Sequence, residues 1–308
     1  MAWHTAVERL TASVRAVGMA RVVVVHGVGQ QYLGRWSLQD GVARAVVDGV
    51  EHAGAEGRLS LDQVDVAFYG NLFRPAGRRG DGEPVQASDL CENFEAGLLY
   101  AWWAGAADAE PDRVASPAAS GMRVPVPVTV QRALDALLRS RCVSTATAEA
   151  FLVGALRQVS LYLTCDRLRA AAMHAVAARV GPDTRVLIGH SLGSVVAYES
   201  LCANPSWPVR TLVTLGSPLG TPKLIFDRLR PAPVGGKGTW PAGITGWRNL
   251  CDRYDVVAAV KRLGPLFDCG TRSVADEIVD NGWKVHELGR HLTARETGRA
   301  VLTGLTGA

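Results

Sequence analysis

The stretch Arg185-Val186-Leu187-Ile188-Gly189-His190-Ser191-Leu192-Gly193 decides how the chain is read. Its first half is a short apolar run, the pattern of a strand buried on both faces. Its second half is a glycine-bounded serine followed by Ser194-Val195-Val196-Ala197-Tyr198-Glu199, which reads as a helix reaching about Ala203. A G-x-S-x-G pattern is weak by itself, because glycine and serine are common residues. At a strand-to-helix turn it means more. Such a turn holds the serine in a strained conformation with its hydroxyl pushed out of the sheet, and the flanking glycines let strand and helix pack closely. Ser191 is therefore a candidate nucleophile. The competing reading is a turn serine that caps the helix.

Outward from this stretch, short apolar runs alternate with helical patterns. Val22-Val23-Val24-Val25 reads as a buried strand, and Val64 to Tyr69 alternates like one. Ser37 to Val50 carries Leu38, Val42, Ala45 and Val46 at helical spacing. A long helical segment runs from about Thr147 to Val180, and strands are expected at Val209–Leu215, Ile244–Cys251 and Val274–Val279. Thr293-Ala294-Arg295-Glu296 has the form of a capping box before a final helix. This alternation predicts an α/β protein: a mostly parallel sheet covered by helices on both faces. Residues 74–148 break the rhythm, with Pro75, Gly77, Gly80, Gly82 and Pro84, then Tyr100, Trp102 and Trp103, then the Pro-alternating Val124–Val128. They are expected to form a cap inserted into a single domain spanning 1–308, over the sheet edge where ligands bind.

Composition limits the function classes. The chain has 308 residues, 48% hydrophobic and 20% charged, enough to bury a large core. A net charge of +4, spread along the sequence, argues against nucleic acid as a partner. The six cysteines (91, 142, 165, 202, 251 and 269) form no C-x-x-C pair and read as buried thiols in a reducing compartment. Residues 1–18 lack the features of a signal peptide, and no run approaches the roughly 20 apolar residues of a membrane span. A cytoplasmic protein without an integral membrane segment is expected; nothing bears on its oligomeric state.

A serine hydroxyl needs a base to take its proton, and the base needs a third group to orient it. When a strand-turn-helix serine leads such a set, the acid and the histidine follow it in the chain. Two carboxylates, Asp252 and Asp255, lie just after the strand ending near Cys251, and Asp255 is favoured because Val256-Val257 would pin its loop. Spacing alone does not separate the two. Only His286 and His291 follow the acid, and their separation of five would not place them on one helix face, which argues against a two-histidine metal site. An oxyanion needs preorganised N–H donors. The amide of Leu192, directly after the serine, is one candidate. The other is the amide of Val28 or Gly27 in His26-Gly27-Val28-Gly29, which follows the four-valine strand. The His26 ring is expected to tie that turn down. Gly27-x-Gly29 is a poor dinucleotide fingerprint, because Tyr32 stands at the third glycine position, and Gly235-Gly236-Lys237-Gly238 lacks the hydroxyl residue and leading strand of a phosphate loop.

With these residues placed, the chain resembles the α/β-hydrolase superfamily, in particular its lipase- and esterase-like members with an HG-type oxyanion turn. The resemblance rests on Val25–Gly29, Gly189–Gly193, Leu215-Gly216-Ser217-Pro218-Leu219, the segment Trp247–Val257, and His286 with Leu292. It spans most of residues 21–305 and leaves out the insertion. Asp255-Val256-Val257 resembles the acid loop of many hydrolases. In such relatives the catalytic histidine precedes an aromatic residue by five positions and then a leucine, so His286, followed by His291-Leu292, is favoured as the base. The resemblance implies hydrolysis of an ester through an acyl-serine intermediate, with Ser191 as nucleophile, His286 as base, Asp255 as acid, and the amides of Leu192 and Val28 as oxyanion donors. It implies no metal and no organic cofactor. The aromatic insertion suggests a small-molecule or lipid-like acyl ester as substrate. Thioesterase, peptidase or acyltransferase chemistry would use the same groups, and the competing class is a binding or regulatory module with little turnover.

Overall fold

A computed structural model describes residues 20–74, 94–117, 126–142 and 148–307. Six strands form one sheet: β1 (Val22–Val25), β2 (Val64–Ala67), β3 (Val186–His190), β4 (Thr211–Leu215), β5 (Gly246–Asp252) and β6 (Ala275–Val279). Their spatial order is β2-β1-β3-β4-β5-β6, and every neighbouring pair is parallel. The chain leaves β1 toward one edge and later returns to build β3 on the other side, so the strand order switches between β1 and β3. In open α/β sheets that switch opens a crevice at the carboxyl ends of the strands.

Helices cover both faces, as the period-two burial of β1 requires. Val22 and Val24 pack in the core shared with α1 (Arg35–His52) and α8 (Arg295–Thr306). Val23 and Val25 pack in the opposite core with α2 (Phe94–Ala109), α4 (Ala148–Thr164), α5 (Asp166–Ala177) and α6 (Leu192–Ala203). The remaining α-helices among the described residues are α3 (Val126–Leu137) and α7 (Leu288–Thr293). All four valines of β1 are fully buried, and each contributes roughly 1.5–3 kcal/mol. No helix of the described residues is long and apolar enough to cross a membrane.

Several expectations are corrected. The helical segment from Thr147 to Val180 is two helices, because Cys165 takes an extended backbone (φ −110°, ψ 101°) and starts a new helix at Asp166. The break lets Arg169 of α5 turn inward to Glu199 of α6. The capping box does not form. Thr293 closes the previous helix through a bond to the Gly289 carbonyl (3.1 Å), and Ala294, without a side-chain bond, precedes α8. Val64 to Tyr69 is strand only to Ala67, where the backbone turns so that the Tyr69 hydroxyl can donate to the His26 carbonyl (2.6 Å). The five described cysteines are free, but only Cys251 is fully buried and Cys269 is exposed.

Within the insertion, Tyr100, Trp102 and Trp103 lie on α2, whose Leu98, Leu99 and Trp102 join the sheet's core. Of the Pro-alternating stretch, Val126 to Val128 opens α3, with Pro127 in the first turn, where a backbone N–H has no helical acceptor. The glycine- and proline-rich run at 75–84 lies outside the described residues, as does Cys91.

Candidate functional site

The serine between β3 and α6 has φ 52° and ψ −129°, one of two non-glycine residues with positive φ among the described residues. Such a backbone costs on the order of 1–3 kcal/mol and is held only where surrounding structure dictates it. Three glycines make the geometry possible. A Cβ at Gly189 would stand 2.5 Å from the Ser194 Cα, and one at Gly193 2.2 Å from the Val25 carbonyl oxygen. A Cβ at Gly27 would stand 2.7 Å from the Ser191 Cβ, which places the turn after β1 directly against the serine. The Ser191 amide donates to the Leu215 carbonyl (2.9 Å), so the serine is anchored to β4. Ser194 Oγ donates to the Ser191 carbonyl (2.6 Å) and accepts from Ser217 Oγ (2.7 Å), which ties the first turn of α6 to the loop after β4.

Of the two candidate carboxylates, Asp252 at the end of β5 and Asp255 beyond it, Asp255 meets a histidine. Its Oδ2 accepts from His286 Nδ1 at 2.8 Å. Its Oδ1 accepts from the amides of Val257 (3.0 Å) and Ala258 (3.4 Å), and Lys261 Nζ donates to its backbone carbonyl. Burial pushes the Asp255 carboxyl up, but the His286 charge and hydrogen bond, with Lys261, outweigh it and hold the group below the usual carboxylate range. Asp252 has a different role. Its oxygens accept from the amides of Tyr254 and Asn281, both at 2.8 Å, joining the end of β5 to the loop that carries His286.

Both histidines approach Asp255 Oδ2, at 2.8 Å for His286 Nδ1 and 3.9 Å for His291 Nε2. His286 is partly open (14% exposed side chain) and lines a cavity with Ser191, whereas His291 is fully enclosed. The carboxylate must accept, so His286 Nδ1 carries the proton of that bond, and a neutral ring has its lone pair on Nε2. That nitrogen has no hydrogen-bond partner among the described residues. The Ser191 hydroxyl and His286 thus share a cavity without a formed bond, a common state of unliganded sites. Desolvation lowers the His291 pKa to about 4, partly offset by Asp255.

The turn after β1 is set by His26. Its Nδ1 donates to the Gly27 carbonyl (2.8 Å), its Nε2 accepts from the Tyr69 amide (3.1 Å), and its ring stacks on Tyr69 at 4.2 Å. Desolvation lowers its pKa to about 4, matching the neutral ring these bonds require. Val28 lines the cavity. Among the described residues, neither its amide nor that of Leu192 has an acceptor.

Two participants escaped the sequence reading. His190 Nε2 donates to the His286 backbone carbonyl (3.0 Å) and its ring lies 4.8 Å from the His286 ring, so it holds the histidine loop against β3. Desolvation, then the other two histidines, push its pKa well below normal. Gly216 has φ 52°, and a Cβ there would stand 2.6 Å from Asp255 Oδ2 and 2.9 Å from His286 Nδ1. Only glycine leaves room for that pair. The signal was present as Leu215-Gly216-Ser217 at the end of a strand, but which loop faces the glycine is a tertiary fact.

One ring nitrogen from each of His190, His286 and His291 lies within 4.8 Å of the others. The spacing argument against a shared histidine site assumed one continuous helix. Instead His286 sits in a loop and His291 on α7, so the two rings converge. His190 and His286 each commit one ring N–H, to the His286 carbonyl and to Asp255, and each keeps its other ring nitrogen. Comparison with family models, curated proteins and solved structures gives no match.

Proposed function

We propose that this chain is a serine hydrolase with an α/β-hydrolase fold, cleaving a carboxylic ester through an acyl-serine intermediate. The observation that carries the reading is Ser191 at φ 52°, facing the same cavity as His286, whose Nδ1 is bonded to buried Asp255. Ser191 Oγ attacks the ester carbonyl while His286 Nε2 takes its proton. Asp255 holds the imidazole in the tautomer with a free Nε2 lone pair and stabilises the imidazolium. The unpaired amides of Leu192 and Val28 receive the oxyanion, the former at the positive end of α6. His286 then gives its proton to the leaving alkoxide, and water repeats the sequence on the acyl-serine.

The described part of the insertion, residues 94–117 and 126–142, acts as a cap at the site, with Trp102 of α2 lining the cavity. The free thiols support a reducing, cytoplasmic setting. The unmade Ser191–His286 bond favours one competing reading, a binding module that keeps the fold without turnover. Fluorescent fluorophosphonate separates the two: the proposal expects labelling of the wild type, none of Ser191→Ala, and p-nitrophenyl butyrate hydrolysis that depends on Ser191. Equal labelling or equal turnover in both proteins would reject it.

A further inference from the structure

His190, His286 and His291 reach one point from three separate pieces of the chain: the end of β3, the loop after β6, and α7. One ring nitrogen of each lies within 4.8 Å of the other two. Three atoms no further apart than this share a point about 2.8 Å from each, so shifts of roughly 0.7 Å reach a zinc–imidazole bond of 2.0–2.1 Å.

The three rings have nitrogens to give. His190 spends one on the His286 carbonyl (3.0 Å) and His286 spends one on Asp255 Oδ2 (2.8 Å), which leaves a second nitrogen on each ring. His291 spends neither. Its side chain is fully enclosed, and among the described residues no hydrogen bond reaches its Nδ1 or its Nε2. The Val285 carbonyl is near enough to favour a charged ring, but not in hydrogen-bonding geometry. A neutral imidazole carries one N–H and one lone pair, and burying both unmatched is costly. Ester hydrolysis needs one histidine, which is His286, so the reaction does not account for this second ring.

The charge of a divalent ion has a counterweight beside the rings. Asp255 is fully buried, and its Oδ2 lies 3.9 Å from His291 Nε2. Lys261 donates to the backbone carbonyl of Asp255 rather than to its carboxylate. A carboxylate behind a ligating histidine orients the ring and makes it a better ligand. His190 and His286 both line the cavity, which gives an ion its way in. Magnesium and calcium require a shell of oxygens and meet a single carboxylate here, whereas zinc suits imidazole nitrogen.

We propose that His190, His286 and His291 bind one zinc ion beside the Asp255 carboxylate, and that the bound ion switches off hydrolysis at Ser191. Either nitrogen of His286 gives this result. An ion on Nε2 takes the lone pair that accepts the serine proton, and an ion on Nδ1 leaves the ring hydrogen on Nε2. The base is lost in both cases, while Ser191 is untouched. The switch rests on the hydrolase reading above; the binding of the ion does not.

Zinc chloride titrated into chelator-treated protein, followed by calorimetry, tests the binding alone. The wild type is expected to take one ion per chain with a micromolar or tighter Kd, and magnesium chloride to give no heat of binding. His291→Asn and His190→Asn should each weaken zinc binding at least tenfold. His52→Asn, which removes an exposed histidine bonded to the Thr293 carbonyl, should not. Thermal melting verifies the fold of each variant, and His291→Gln replaces His291→Asn if the latter melts early. A millimolar Kd for the wild type, or equal affinity in wild type and the His291 variant, overturns the proposal.

The switch is read by fluorophosphonate labelling of Ser191. Saturating zinc should slow labelling of the wild type at least tenfold, chelator should restore it, and the His291 variant should label at one rate with and without zinc. Labelling of the wild type that saturating zinc does not slow also overturns the proposal. Zinc bound through His291 in a protein whose Ser191 never labels leaves the ion site standing and removes the hydrolase reading.

Discussion

Adding one methyl group at Gly216 tests whether the Asp255–His286 pair depends on space that only glycine provides. Two costs follow from the structure. The first is conformational: at φ 52° an alanine loses about 1–2 kcal/mol relative to glycine. The second is local. The new Cβ would stand 2.6 Å from Asp255 Oδ2 and 2.9 Å from His286 Nδ1, so to reach ordinary contact the first must retreat by about 0.8 Å and the second by about 0.5 Å, and a bond of 2.8 Å does not survive such shifts unchanged. A displacement of that size at reacting groups costs about 10²-fold in rate, and complete loss of the orienting carboxylate about 10⁴-fold. We therefore expect Gly216→Ala to lower kcat/KM for p-nitrophenyl butyrate by roughly 10²- to 10⁴-fold. Gly235→Ala is the control, because Gly235 has φ 59° and open space around its Cβ. It should lose about the same 1–2 kcal/mol in urea denaturation and keep its activity. Hydrolysis by Gly216→Ala within threefold of wild type, or an equal loss in Gly235→Ala, would refute the reasoning.

Three further outcomes are expected. Glu199 accepts from Arg169 Nε (2.8 Å), Tyr162 Oη (2.6 Å) and the Arg230 amide (3.0 Å) in a buried network, so Glu199→Ala should destabilise by about 3–5 kcal/mol, with Arg169→Met in the same chain restoring part of it. An urea midpoint unchanged by Glu199→Ala would contradict this. His26 and His291 have pKa values lowered to about 4 from 6.5, so between those values the unfolded chain takes up protons that the folded chain does not. Stability is then full above about pH 6.5 and falls on acidification, by about 4 kcal/mol for the pair at pH 5. His190 acts in the same direction. Equal unfolding free energies at pH 7 and pH 5 would exclude this, and His291→Asn should remove about half of the pair's loss. Because Ser191 has positive φ, Ser191→Gly should be about 1–2 kcal/mol more stable than Ser191→Ala, while neither is labelled by fluorophosphonate. A more stable alanine variant would mean that the turn is not strained.

The parallel sheet and its two helical layers were legible in the sequence because their causes are local. Four consecutive valines bury on both faces, Leu38, Val42, Ala45 and Val46 repeat at helical spacing, and Gly189 and Gly193 bracket a serine where a strand meets a helix. Element ends were less legible. Cys165 splits a continuous apolar pattern, with Arg169 beyond the break paired to Glu199, and Thr293 closes one helix rather than opening the next. The first pairs residues 30 positions apart, and the second turns on a local bond to Gly289 that competes with capping the next helix.

Candidate chemistry was legible as residue types, but its assignment was tertiary. Asp252 and Asp255 are three residues apart in the chain, and the sequence cannot say which faces the sheet edge. In the fold, Asp255 meets His286 while Asp252 holds Asn281. His190 reads as a motif residue until its ring is seen against a loop 96 positions away. Gly216 reads as a turn glycine until Asp255 and His286 close over it. The cavity has no linear trace, since its walls come from helices on opposite faces of the sheet. Short-range periodicity and backbone sterics therefore determined the elements and the serine turn. Only packing of distant segments decided which side chains share the cavity, because closeness in space there owes nothing to closeness in the chain.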